Sequence, residues 1–111
     1  MIIEIVTFKN RADLTRQGEY DGARHAAEEW IKNPELVAKH FIRDEDGNGG
    51  AVYIWPSKEA AQRAHNDEWR KGVLARTGGN QPQIRYYEFM LTADAANGKV
   101  VEYGDLQQAA E

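Results

Sequence analysis

Residues 2–8 read Ile-Ile-Glu-Ile-Val-Thr-Phe, a β-branched run in which Glu4 is the single charge, and they predict a first strand. Residues 9–19 are polar and carry Gly18, which suggests a loop or an imperfect first helical turn. From Tyr20 the period changes. Tyr20, Ala23, Ala27, Trp30 and Ile31 recur at spacings of three and four, so they share one helix face, with Glu28, Glu29 and Lys32 turned elsewhere. Asn33-Pro34 ends that helix, because a residue before proline resists the helical region. Residues 36–43 alternate as a second strand: Leu36, Ala38, His40 and Ile42 on one face, Val37, Lys39, Phe41 and Arg43 on the other. The turn formers of residues 44–50 make a hairpin loop, residues 51–55 a third strand, and Ser57 caps a second helix expected to run to about residue 71. Glycines at 72, 78 and 79 predict a loop over 72–82. Residues 84–91 make a fourth strand with adjacent Tyr86 and Tyr87. The tail adds an Asn97-Gly98 turn, a short Val100-Val101 strand and a stub capped by Asp105.

The order β-α-β-β-α-β defines an α+β, ferredoxin-like fold with an antiparallel four-stranded sheet. Two helices cover one sheet face. Val, Phe and Tyr on both strand faces predict that the other face is buried as well, and a twofold homodimer packing sheet against sheet is the simplest way to bury it. A single domain over 1–111 is expected, with residues 92–111 as a C-terminal extension packing on its own or the partner subunit.

Composition narrows the function. The chain has 111 residues, 18 acidic and 14 basic, with a formal charge of −4. The basic residues are scattered, so a nucleic-acid surface is not expected. No apolar run approaches the roughly 18–20 residues that span a bilayer, and Met1-Ile2-Ile3-Glu4 lacks the basic leader of a signal peptide; a cytoplasmic protein is expected. Without cysteine there is no disulfide, thiolate chemistry or Cys-based zinc site. Asp44-x-Asp46-x-Asn48-Gly49 matches the first half of a calcium loop, but the twelfth position is Trp55 rather than a bidentate carboxylate, and calcium is rejected. The three histidines offer no metal-ligand spacing, so no metal is expected.

His25 points away from the apolar face of its helix. His40 shares a strand face with Leu36 and Ile42. His65 stands four residues after Ala61 and four before Trp69, on the inner face of the second helix. Each of the latter two is either a hydrogen-bonded imidazole in the core or part of a cavity wall, where it would suit proton transfer near neutral pH. Tyr53, Trp55, Trp69, Tyr86 and Tyr87 bring aromatic surface with polar tips, as core or as the wall for a flat organic ligand. Arg85 and Tyr87 share one face of the last strand; spacing does not decide which face meets the helices.

The stretch from Gly49-Gly50 through Trp55-Pro56-Ser57-Lys58-Glu59-Ala60 to Ala64-His65 resembles the central segment of the antibiotic-biosynthesis-monooxygenase-like families of the dimeric α/β-barrel superfamily. In those families a strand ends in an aromatic, a Ser-x-Glu-Ala helix start follows, and an Ala-His lies about ten residues beyond the aromatic. The resemblance implies a homodimeric barrel with one cavity per subunit between sheet and helices. It implies oxidation of an aromatic or polyketide-like molecule with no bound cofactor, through a deprotonated phenol or enolate that passes an electron to dioxygen. On this expectation His65 is general base or substrate orienter. Asn66 and Arg85 hold a developing oxyanion, a role worth about 3–4 kcal/mol per donor in favourable sites. Trp69, Trp55, Tyr53, Tyr87 and His40 form substrate-binding walls. The competing expectations are a non-catalytic dimer that binds a small apolar ligand, and a haem-binding or haem-degrading relative.

Overall fold

The computed structural model describes residues 1–103. In chain order the elements are β1 (Ile2–Phe8), α1 (Arg16–Trp30), β2 (Ala38–Arg43), β3 (Gly49–Trp55), α2 (Lys58–Ala64), α3 (Asp67–Thr77), β4 (Gln83–Glu88), β5 (Leu91–Asp94) and β6 (Lys99–Glu102). The first four strands to pair form an antiparallel sheet in the order β2-β3-β1-β4, the ferredoxin-like α+β arrangement expected from the sequence.

Register decides which side chains meet the helices. Glu4 lies opposite Tyr53 on one side and Tyr86 on the other, and Lys39 lies opposite Tyr53. Residues opposite one another share a face, and successive residues alternate. The helix-side face therefore carries Glu4, Val6, Lys39, Ala51, Tyr53, Trp55 and Tyr86. There Val6, Ala51, Tyr53 and Trp55 pack with Ala60 and Ala61 of α2 as the buried core. The opposite face carries Ile3, Ile5, His40, Ile42, Val52, Ile54, Arg85 and Tyr87. At Gly50 the β1 backbone comes so close that an added Cβ would stand 2.1 Å from the Val6 carbonyl oxygen, at a φ of 157°. Glycine is required at that point of the ladder.

The helices depart from the sequence reading in three places. α1 begins at Arg16, earlier than residue 20, because the Thr15 side chain accepts a hydrogen bond from the Gly18 N–H and caps the first turn. Of its expected inward face, Tyr20 (66% exposed) and Ile31 (80%) lie in solvent, whereas Trp30 packs on the core. The second predicted helix is two helices. His65 (φ −98°, ψ 55°) and Asn66 (φ −81°, ψ −175°) leave the helical region, and α3 restarts with the Asn66 side chain accepting from the Trp69 N–H at 3.0 Å. α3 then runs past Gly72 to Thr77. Gly78, at a φ of 76°, closes it in the left-handed conformation, and the loop predicted for 72–82 shrinks accordingly.

The Asp44 carboxylate accepts from the Asp46 and Asn48 N–H groups and from the Asn48 amide, which closes the β2–β3 loop. The fourth predicted strand stops at Glu88. Leu91 opens β5, which among the described residues pairs only with β6, across the expected Asn97-Gly98 turn. The Asp105 stub lies outside the described residues.

Candidate functional site

A charge is buried at the centre of the core. Glu4 has an even place in the alternation of β1, so it points at the helices, and it is 0% exposed. A lone carboxylate there would cost several kcal/mol, and both of its oxygens are met. Trp55 Nε1 donates to Oε1 at 2.9 Å, and His65 Nδ1 lies 2.9 Å from Oε2. The helix break makes the second contact possible. His65 ends α2, its N–H still bonded to the Ala61 carbonyl at 2.9 Å, and the non-helical turn at residues 65–66 directs the ring inward.

Four aromatic rings enclose that imidazole. Its centroid lies 4.2 Å from Trp69, 4.6 Å from Tyr53, 5.6 Å from Trp30 and 6.2 Å from Trp55. Tyr53 and Trp55 stack at 5.9 Å with 12° between their planes. Facing an ionised carboxylate, Nδ1 is the donor, and in the neutral ring that tautomer leaves the lone pair on Nε2. Nε2 is buried and has no hydrogen-bond partner. An unpartnered ring nitrogen beside a carboxylate-anchored imidazole is the kind of exception that buried polar groups seldom show. The arrangement is chemically competent: Nε2 can take a proton, and Glu4 then faces the imidazolium.

Lys39 extends the cluster. Its Nζ lies 4.2 Å from the Phe41 ring centroid, 4.4 Å from Trp30 and 4.8 Å from Tyr53. Among the described residues it makes no ion pair. Burial, reinforced by the Arg76 charge and opposed by Glu4, brings its ammonium down to about 7. Burial first, and then the Glu4 charge, push the Tyr53 and Tyr86 phenols above their ordinary value, so both stay neutral donors.

His65, Trp69, Trp55 and Tyr53 are thus brought together as the sequence suggested. Asn66 is adjacent in sequence but spent elsewhere: its oxygen caps α3, its amide donates to the Arg63 carbonyl, and it is exposed. Arg85, Tyr87 and His40, also expected at the site, lie elsewhere in the chain. Arg85 pairs with Ile5, Tyr87 with Ile3 and His40 with Val52, all on the sheet face turned away from the helices, so none reaches the His65 ring of the same chain. One surface hollow of about 320 Å³ lies beside Phe8 and Asn80 and another of about 480 Å³ beside Trp30, Asn33 and Pro34; neither is lined by His65. Sequence reasoning passed over Glu4 and Lys39. The signal for Glu4 was there, as the only charge in an apolar strand. Among the described residues no cluster of His, Asp and Glu is placed to hold a metal.

The fold is that of the antibiotic biosynthesis monooxygenases, and the likeness rests on structure. A proposed antibiotic biosynthesis monooxygenase from Deinococcus radiodurans superposes with a TM-score of 0.65 at 14% identity, over 85% of this chain and 97% of that one. A second antibiotic biosynthesis monooxygenase gives 0.59 at 11% identity, over 79% and 98%. A point mutant of SnoaB, a cofactor-independent oxygenase from Streptomyces nogalater, gives 0.58 at 14%, over 84% and 97%. No family model and no curated protein matches the chain. Identities at this level establish shared architecture.

Proposed function

We propose that this protein is a cofactor-independent oxygenase of small aromatic phenols or enols. The carrying observation is the Glu4–His65 pair, with an unengaged Nε2 inside a wall of Trp30, Tyr53, Trp55 and Trp69. The fold shared with SnoaB supports the reading. His65 Nε2 takes the phenol or enol proton, and Glu4 stabilises the imidazolium that results. The substrate anion passes one electron to dioxygen; the radical pair joins in a carbon–oxygen bond to give a peroxide. Loss of water from the peroxide leaves a ketone or quinone, so an anthrone plus O₂ gives an anthraquinone plus H₂O. Substrate would enter past Trp30, whose ring contacts His65 and also borders the hollow of about 480 Å³. A homodimer formed through the Ile3, Ile5, Val52 and Ile54 face is part of the proposal.

The test is oxygen uptake with anthrones and dihydroxynaphthalenes. Wild type should consume one O₂ per product, with turnover lowered about a hundredfold or more in His65→Ala, a typical general-base contribution. Equal rates in the two proteins, or none in wild type, would end the proposal. One observation favours a second reading, a binding protein without chemistry: Nε2 is buried with no partner through which a proton could leave. In that case the same aromatics bind, quench tryptophan fluorescence and are recovered unchanged.

A further inference from the structure

Lys39 has no part in the proton transfer described above, yet it stands in the same aromatic enclosure. Its Nζ and the His65 ring contact the same two rings, Trp30 and Tyr53. An ammonium set over three aromatic faces, with no carboxylate paired to it among the described residues, keeps its hydrogen-bonding capacity unspent. The other cations of this sheet face differ in setting. Arg43 is bound to Glu19 at 2.7 Å, Lys58 lies over Tyr86, and Arg76 lies over Phe8.

We propose that Lys39 is the anion-recognising residue of this site, so that the ligands it selects are planar aromatics carrying an ionised oxygen, a phenolate, enolate or carboxylate, next to the ring system. This rests on the reading of the enclosure as a ligand site and adds the substrate class. The aromatic body replaces ring contacts among Trp30, Tyr53 and Trp69, and the ionised oxygen receives a charge-assisted hydrogen bond from Nζ. The anion formed at His65 would be held by the same group, which is the role the sequence reading gave to Asn66 and Arg85.

The protonation of Lys39 makes the idea measurable. The groups facing it are Glu4 on β1, Tyr53 on β3 and Arg76 on α3, with His65 against the same Tyr53 ring; α1 presents the uncharged Trp30. In the free protein the amine loses its charge above about 7. A bound anion favours the ammonium, so at about pH 8 binding draws a proton from solution.

The experiment is calorimetric titration with 2-naphthoate and its neutral isostere 2-naphthamide. At about pH 6 wild type should bind naphthoate about tenfold more tightly, a preference of the size a charged hydrogen bond supplies. At about pH 8 naphthoate binding should take up a proton, seen as a buffer-dependent heat, and naphthamide binding should not. Lys39→Met should abolish both the preference and the uptake. Lys39→Arg, permanently charged, should keep the preference at every pH and show no uptake. Equal affinity for the two ligands in wild type, no naphthoate binding, or a preference that survives Lys39→Met would each overturn the assignment. Failure of the oxygenase reading looks different: the binding pattern stays and oxygen uptake is absent.

Discussion

Glu4 and His65 hold one another in a place where neither would be tolerated alone. The carboxylate has exchanged water for donors that include an indole N–H and an imidazole N–H. Removing it leaves the His65 ring and the Trp55 N–H unpaired in the core, and losing one member of such a pair typically costs 3–5 kcal/mol. Glu4→Ala should therefore lower stability by about 3 kcal/mol or more. Glu4→Gln, whose oxygen still accepts from Trp55, should lose clearly less. Urea denaturation followed by tryptophan fluorescence compares them, and equal losses would show that the cavity rather than the hydrogen bonds sets the cost. Lys39 makes a prediction of opposite character. Its ammonium is depressed in the folded chain, to about 7 from 10.5, so between those values the unfolded chain binds the extra proton. Stability must then rise as pH rises above about 7. The rise ends near 10.0, the ordinary tyrosine value, where the unfolded chain begins to ionise the phenols that Tyr53 and Tyr86 keep neutral in the fold. Lys39→Met should flatten the curve between pH 7 and 9. At this scale the sequence was partly legible. A single charge inside an apolar strand marks Glu4, and helical spacing turned His65 inward. That these two residues, 61 positions apart, would meet depends on packing that no local pattern encodes.

Element by element, the reading worked where local chemistry decides and failed where tertiary register does. The Ser57 cap, the β1 and β3 runs and the Asn97-Gly98 turn are all set by nearby residues. The interruption at residues 65–66 was hidden, because Ala-His-Asn-Asp carries no proline or glycine to announce a stop. What ends the helix is competition by Asn66, whose side chain satisfies the Trp69 N–H and so starts a new helix. Asn66→Ala should remove about 1 kcal/mol of that capping energy. It should also loosen the turn that orients His65, so its effect on oxygen uptake should be modest beside that of His65→Ala. Thermal denaturation and oxygen uptake on the same samples check the pair; a loss of turnover as large as that of His65→Ala would give Asn66 a direct role. Strand alternation showed that Arg85 and Tyr87 share a face but was silent on which one. The pairing of Arg85 with Ile5 and of Tyr86 with Glu4 supplies the answer.

For the whole molecule the open question is what covers the second sheet face. Ile3, Ile5 and Val52 lie half-buried on its two central strands beside the buried Ile54, flanked by Ile42 and Tyr87, which are 40% and 45% exposed. A sheet with helices on one side only buries such a surface by association. The β5–β6 hairpin argues the same way. It pairs with neither edge of the main sheet, and it is fastened to the chain near β4 by the Phe89–Tyr103 ring contact at 4.2 Å and the Tyr103 N–H to Met90 carbonyl bond. Leu91 and Val100 are left exposed on it, and an isolated two-stranded hairpin is marginal in water. A twofold partner laid against the sheet satisfies both features, since a stable interface needs about 800 Å² from each subunit. Wild type at micromolar concentration should sediment at twice 12.6 kDa. Ile5→Lys places a charge on a central strand of that face and should give a folded particle at 12.6 kDa, with the His65 enclosure on the other side intact. Val100→Glu should weaken the dimer if the hairpin reaches across to the partner, and leave it unchanged if the hairpin folds back on its own subunit. A wild-type chain that sediments only as the monomer would remove the dimer and leave the chemistry of Glu4 and His65 to be tested on its own.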